Sequence, residues 1–471
     1  MLQAMQSAIG LARPAPRIVI AGASGDAGKT TVALGLCVAL RRRGVRVQAF
    51  KKGPDFIDPA WLSRASGGVA RNLDVHLCGE EVVRQVFSAH APSDGISIIE
   101  GNRGLFDGGD ARGTHSTAAL ARMLAAPVVL VVNATKVTRT LAAVVLGCRD
   151  LEAGTPLAGV VLNRVAGERH GKVAREAIET ETGIPVVGVL RRAEEELIPN
   201  RHLGLLTPQE HAAADAALEV VAGVVSEGVD LAAVERLARA APAWAEERWE
   251  RAEVVARRAR VGVLLDSAFT FYYQENLEAI ERAGGTIESI SPLADTGLGD
   301  IDVLYVGGGF PETHAAALSG NRELLGKLRE RARAGMPVYA ECGGLMYVSA
   351  ALWTSEGRHE MAGLLPVETR MGARPVGHGY VDVEVVAENP FLRVGARFKG
   401  HEFHYSSVKD ATGVPLVFEM RRGRGIMGTR EGMCLGNVLA TYVHVHALGA
   451  GGWAEGVVGA GERWRRSRMT R

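Results

Sequence analysis

The residues best suited to chemistry stand early in the chain, in the run Gly22-Ala-Ser-Gly25-Asp-Ala-Gly28-Lys29-Thr30-Thr31. Glycines ahead of a helix start let backbone N–H groups close around phosphate oxygens, a lysine neutralises them, and a hydroxyl reaches a divalent cation. Gly25, Gly28, Lys29, Thr30 and Thr31 are therefore the expected nucleotide-binding residues, with ATP and Mg²⁺ as ligands. The usual spacing of such a loop puts a glycine at position 23, where this chain has Ala23, so the glycine is displaced by one residue. A metal at the phosphates needs carboxylates, and two segments offer them: KKGPDFIDP at 51–59 and EGNRGLFDG at 100–108. Both follow apolar runs that read as strands, and ligands of a parallel sheet gather at the carboxyl ends of its strands. Asp55 and Glu100 are expected to join Thr30 at the metal, and Asp58 and Asp107 to serve the substrate or phosphoryl transfer.

A second chemistry is written in Pro337-Val-Tyr-Ala-Glu341-Cys342-Gly343-Gly344-Leu-Met-Tyr. A buried strand breaks at Cys342 and resumes as a helix after two glycines, the pattern of a sharp turn that projects a nucleophile at a helix start and lowers its pKa. The base expected for this thiol is His444, in ATYVHVH at 440–446. Strand alternation puts His444 and His446 on one face, and His444 is preferred. Gly308 and Gly309, after the apolar run DVLYV, are expected to give an oxyanion hole with the amide of Gly343. The remaining cysteines, Cys37, Cys78, Cys148 and Cys434, read as inert.

Two sets of elements must position these residues. From Arg17 the chain alternates RIVIAG, VRVQAF, SIIEG, PVVLVVNA, LAGVVLN and PVVGVL with helical stretches, the first from Lys29 to about Arg43. Continuous apolar runs separated by helices predict a parallel sheet covered on both faces, hence an α/β domain over 17–206. A charged, Ala-rich helical linker without strand signals follows over 207–258. The alternation restarts with RVGVLLD, DVLYVGGG, MPVYAE, GHGYVDVEVV and NVLATYVH, predicting a second α/β domain over 259–450 and an Arg-rich, solvated tail over 451–471.

Taken together the motifs resemble the cobyrinate a,c-diamide synthase family from Arg17 to His446. The resemblance rests on the loop ending Gly28-Lys29-Thr30, FKKGPDFIDP at 50–59, GLFDG at 104–108, VVLNRV at 160–165, ERH at 168–170 and RHLGL at 201–205. It continues through AFTFYYQENL at 268–277, YAECGGLMY at 339–347, GHEFHYS at 400–406 and GNVLATYVHVH at 436–446. It implies a dethiobiotin synthetase-like ATP domain followed by a class I glutamine amidotransferase domain, cobyrinate and glutamine as substrates, and a homodimer. By the same resemblance Asn163 lies near the adenine. The implied reaction gives each of two corrinoid carboxylates, a and c, an amide nitrogen in turn. A carboxylate does not react with ammonia until its oxygen becomes a leaving group, and phosphoryl transfer from ATP makes the acyl phosphate that does. Related glutaminases place a glutamate two residues after the histidine, where this chain has His446, so the base is expected to work without an acidic orienter. No role follows from spacing for the histidines and glutamate of GHEFHYS.

Other readings share parts of this pattern. Relatives with the same two domains amidate siroheme, hydrogenobyrinate or nickel-sirohydrochlorin, and Lys51-Lys52, Trp61 and Asn102-Arg103 have counterparts among siroheme-type members. Cobyric acid synthase lacks the KKGPDFID pattern. A ParA-like ATPase would carry a lysine five residues before the loop lysine, where this chain has Ser24, and has no use for the cysteine domain. Composition narrows the rest. Lys+Arg at 54 against Asp+Glu at 53 leaves a net charge of +1 over 471 residues, which gives no field to draw nucleic acid or anionic lipid. Five scattered cysteines form no metal or disulfide framework, and there is neither a signal peptide nor an apolar run of membrane-spanning length, so a cytoplasmic enzyme is expected.

Overall fold

Runs of Val, Ile and Leu with no polar face become strands whose two sides are both covered. The computed structural model describes residues 12–192, 198, 200–201, 204–245 and 256–470. His202 and Leu203 of RHLGL, and 246–255 of the expected linker, lie outside them. The chain forms two units, one from residues up to 75 and from 79 to 250, the other from 76–78 and from 251 onward.

The first unit carries a seven-stranded sheet. Its strands are β1 (Arg17–Gly22), β2 (Val47–Lys52), β3 (Arg71–Leu73), β4 (Ile96–Gly104), β5 (Val128–Asn133), β6 (Leu157–Val165) and β7 (Val186–Arg191). They lie in the order β3-β2-β4-β1-β5-β6-β7, joined throughout by parallel pairing. Successive strands leave β1 in opposite directions, so the loop after β1 opens at the point where strand order reverses and a crevice forms. That loop leads into α1 (Lys29–Arg42), buried from Val32 to Leu40, while α2 (Ile57–Ser66) follows β2. The Ala-rich segment expected as a linker is helical at α3 (Ala214–Gly228) and Leu231–Arg239, and it belongs to this unit. Gly35 of α1 allows close packing there, since a Cβ on it would stand 2.3 Å from Val225 Cγ2 of α3. A two-residue strand, Trp244–Ala245, pairs with Ala12–Arg13 where the sequence predicts none, and the Trp244 ring packs edge-on against Phe87 at 5.0 Å.

The second unit is built on a ten-stranded sheet. Its first strands are β8 (Ala259–Leu264), β9 (Gly285–Ile290), β10 (Val303–Val306) and β11 (Val338–Glu341). After them come β12 (Gly377–Val385), β13 (Arg397–His404), β14 (Leu416–Arg422), β15 (Arg430–Leu435), β16 (Val438–Thr441) and β17 (His444–Val445). The order is β9-β8-β10-β11-β16-β15-β14-β12-β13-β17. It is parallel from β9 to β16 and antiparallel beyond, so the expected α/β class holds with an antiparallel wing added. A separate four-stranded sheet, Ala351–Thr354 with its neighbours, follows the short helix α4 (Gly343–Val348).

The Arg-rich terminus corrects the sequence reading. It is not a solvated tail but helix α5 (Trp453–Met469), with Trp453, Val457, Ala460 and Trp464 buried. Those positions recur at helical spacing, and a boundary drawn at residue 451 detaches the stripe from the strands it covers. Trp453 meets the rings of Tyr305 and Tyr339 at 5.4 and 5.7 Å, while Arg468 leaves the core and pairs with Asp302 at 2.9 Å.

Candidate functional site

β1 ends at Gly22, and the loop enters α1 through Gly28, whose φ of 94° suits glycine. A side chain there would collide with Asn163, because a Cβ would lie 2.0 Å from its Nδ2. Asn163 instead donates from Nδ2 to Ala27 O at 2.9 Å, which ties β6 to the loop. Lys29 Nζ donates to Gly25 O at 2.9 Å, and burial, followed by the nearby Lys51, pulls its pKa down. Thr31, two positions on, is half-buried.

Strand register assembles the acidic part of this site. Glu100 stands opposite Ile20 of β1 and Lys51 of β2. Thr30 Oγ1 donates to Glu100 Oε1 at 2.6 Å, while the buried Glu100 Oε2 has no hydrogen-bond partner. Lys51 Nζ lies 3.1 Å from Glu100 Oε1 and also pairs with Asp58. Burial opposes the Lys51 charge, yet Asp58 and Glu100 raise its pKa well above the ordinary range. Burial, then Asp58, pushes the Glu100 carboxyl up to about 7 against the pull of Lys51. An orphaned carboxylate oxygen beside a hydroxyl suits a hard cation. Among the described residues no group of three or more His, Cys, Asp or Glu could hold a metal, so phosphate oxygens would have to complete the shell.

The other acidic candidates differ in what they touch. Asp55 Oδ1 accepts from the N–H groups of Ile57 and Asp58 at 2.9 and 3.0 Å, so this oxygen caps the start of α2. Burial, then Asp58, raises the Asp55 carboxyl to about 6. Asp58 reaches the Lys51–Glu100 cluster directly. Asp107 is exposed, and its Oδ2 accepts from Gly104 N at 2.8 Å, holding the turn after β4. Trp61 is fully buried and donates from Nε1 to Leu206 O at 2.8 Å, so it is a packing residue of this unit.

In the second unit the strand-to-helix turn is sharp. Cys342 has φ 50° and ψ −99°, a strained conformation for a side-chain-bearing residue, held by its N–H donating to Thr441 O at 2.7 Å. A Cβ on Gly344 would lie 2.3 Å from Val306 O, and one on Gly343 would lie 3.0 Å from Gly309 N. Only glycines fit, and the β10 loop is brought against the turn. The Gly307 amide is taken by Tyr272 Oη at 2.8 Å, and Gly308 faces His444, whose Cε1 would lie 2.5 Å from a Cβ there.

His444 and His446 part company because β17 has only two residues. Burial lowers the His444 pKa, yet Cys342 and Glu341 beside it raise it to about 9. His446 packs on Tyr273 at 4.4 Å between ring centres, accepts from Leu448 N at 3.3 Å, and is brought down to about 3 by burial. Burial pushes the thiols of Cys37, Cys148 and Cys434 up.

Residues that spacing did not single out surround the pair. His401, opposite His444 in register, stacks on it at 4.9 Å. His404 Nδ1 donates to Ser406 O at 2.7 Å, and the ring stacks on Tyr442 at 3.7 Å. Burial, then Glu431, raises Glu402 to about 8, and its Oε1 has no partner. Glu341, directly before Cys342, presents Oε2 at 3.7 Å to His444 Nδ1. Adjacency to the cysteine in the ECGG run is the one signal that could have marked it.

Known proteins share both units. Residues 18–205 match the CobQ/CobB/MinD/ParA nucleotide binding domain, and residues 260–451 match the CobB/CobQ-like glutamine amidotransferase domain. A Magnetococcus marinus protein called cobyrinate a,c-diamide synthase is 42% identical over 450 residues, covering 93% of this chain and 96% of that one. Proteins of the same name from Syntrophotalea carbinolica and Methanothermobacter thermautotrophicus are 42% and 40% identical, covering 94% and 92% of this chain and 98% and 96% of their own lengths.

Proposed function

This chain belongs to the cobyrinate a,c-diamide synthase family, and from that premise we propose how its residues divide the work of amidation. It is a glutamine-dependent carbon–nitrogen ligase of cobalamin biosynthesis, with a nucleotide-binding unit for ATP and a tetrapyrrole and glutamine as substrates. The proposed tetrapyrrole is cobyrinate, amidated at its a and c carboxylates. In the first unit the amides of Gly25 and Gly28 with Lys29 and Thr31 bind the ATP phosphates, Asn163 lies by the base, and Thr30, Glu100 and Asp55 would hold Mg²⁺. The cation, when bound, neutralises phosphate charge as the γ-phosphoryl passes to the substrate carboxylate. Asp58 and Asp107 orient that carboxylate.

In the second unit Cys342 attacks the glutamine carboxamide, His444 takes the thiol proton and returns it to the departing ammonia, and the amides of Gly308, Gly309 and Gly343 receive the developing oxyanion. Water then frees glutamate from the thioester. The observation that carries this reading is Cys342 on a glycine-enforced elbow against the Gly309 backbone, with the buried His444 beside Gly308, on a chain whose other unit joins Thr30 to Glu100 beside a lysine-bearing phosphate loop. Five free cysteines support a reducing cytoplasm, and a homodimer, checked by sedimentation, is the proposed assembly. No helix among the described residues is long and apolar enough to cross a membrane.

The test is mass spectrometry of products formed with Mg-ATP, glutamine and, separately, cobyrinate, siroheme and nickel-sirohydrochlorin. Doubly amidated cobyrinate formed in preference to the others is expected. Preference for either other macrocycle would overturn the substrate assignment and leave the division of labour in place.

A further inference from the structure

We infer that Glu341 is the acidic positioning residue of the glutaminase site, holding His444 through Nδ1 from the same strand that carries Cys342. The inference rests on the Cys342–His444 pair proposed above and adds a third member to it. Glu341 closes β11 and is almost wholly buried, so its carboxylate must find partners inside the protein. Three converge on it. Tyr305 of β10 donates from its hydroxyl to Oε2 at 3.2 Å, Val445 of β17 donates its N–H to Oε1 at 3.3 Å, and His444 Nδ1 stands 3.7 Å from Oε2. One carboxylate thus grips both the backbone and the ring of the two-residue strand that carries the base. At 3.7 Å the His444 contact is an ion pair rather than a hydrogen bond, and such contacts in a free enzyme commonly tighten when substrate is bound.

The position where related glutaminases carry their acid holds His446, which burial keeps neutral and which lies against Tyr273. The other groups around His444 are Cys342, the stacked His401, Phe271 edge-on at 6.5 Å, Gly308, and more distantly Glu402 and His404. Burial drives His401 well below its ordinary pKa, so it adds no charge. Glu341 is therefore the carboxylate placed to fix the tautomer. With Nδ1 turned to it, Nε2 takes the thiol proton as sulfur bonds to the carboxamide carbon, and gives that proton to the nitrogen as the C–N bond breaks and ammonia leaves. Glu341 acts on the orientation of the ring and on the imidazolium.

The test uses full-length Glu341→Gln and Glu341→Asp. Steady-state glutamine hydrolysis, ammonia-driven amidation and the pH dependence of iodoacetamide alkylation at Cys342, read by peptide mass spectrometry, are measured on each preparation. For Glu341→Gln, kcat for glutamine is expected to fall on the order of 100-fold or more with KM within about threefold, ammonia-driven turnover to persist, and alkylation to need higher pH. Glu341→Asp should recover part of the loss. A Glu341→Gln enzyme with glutamine kcat within about twofold of the parent and an unmoved alkylation profile would overturn the inference, as would an Asp variant no better than Gln when both retain ammonia-driven turnover. If Glu341→Gln does not fold, the decision passes to Glu341→Asp, whose parental kcat and unmoved profile would overturn it and whose lowered kcat and raised alkylation pH would uphold it. Glutamine hydrolysis surviving in Cys342→Ala would sink the Cys342–His444 reading itself and is scored separately.

Discussion

A thiol and an imidazole become useful together only when each holds the other's charge, and the proposed pair of Cys342 and His444 has a histidine, not an acid, at position 446. Cys342→Ala is expected to abolish glutamine-driven amidation while keeping turnover on free ammonia, whereas Lys29→Ala should lose both, read as product formed with each nitrogen source. The raised pKa of His444 sets a direction in pH. Its folded value of about 9 exceeds the ordinary 6.5, so the imidazolium's contribution is complete below about 6.5 and disappears as pH rises through 9. Glutamine hydrolysis should therefore fall away above about pH 9, and a rate still climbing there would remove His444 from its role. At this scale the sequence was legible where chemistry follows from neighbours along the chain: the glycine loop, the ECGG turn and the strand-end histidine all follow that rule. It was silent on Glu341 because the side chain meets His444 across 103 positions of sequence, through a register that only the folded sheet defines. Likewise the two histidines looked equivalent under strand alternation, and they separate because β17 stops after Val445.

Elements do their positioning here by close approach. α4 can start beneath β10 only because Gly344 has no side chain, its missing Cβ being 2.3 Å from Val306 O. Gly344→Ala should destabilise the glutaminase unit by about 1–3 kcal/mol and lower glutamine-driven rates, measured by denaturant unfolding and product assay, with ammonia-driven rates spared. Trp453→Ala tests the other side of the same sheet. It removes a fully buried ring from between Tyr305 and Tyr339 and should cost about 3–5 kcal/mol, read in the same unfolding experiment; a loss below about 1 kcal/mol would mean that α5 is not part of the core. The parallel strands were plain from their apolar runs, since both faces of such a strand must be covered. α5 was missed for a related reason: the arginines gathered around and after Trp464 mask a stripe that repeats at helical spacing, and composition averages the two faces into one.

As a whole the molecule has two units, each built on its own large sheet, one matching a nucleotide-binding domain and the other a glutamine amidotransferase domain. Calorimetry is expected to resolve two transitions, of which Mg-ATP raises only one; at 100 times its dissociation constant a ligand adds about 2.7 kcal/mol to the unit it binds. A single transition moved as one by Mg-ATP would show that the units unfold together. The placement of Trp453, Val457 and Trp464 beneath strands that begin at Ala259 also bears on synthesis. A ribosome has passed nearly two hundred codons after β8 before the residues that seal its sheet emerge, so the glutaminase unit cannot close during translation in the way the nucleotide unit can. Nascent chains halted before Gly452 should therefore carry a protease-resistant nucleotide unit and a glutaminase unit still open to cleavage, which would leave glutamine hydrolysis silent until α5 has emerged.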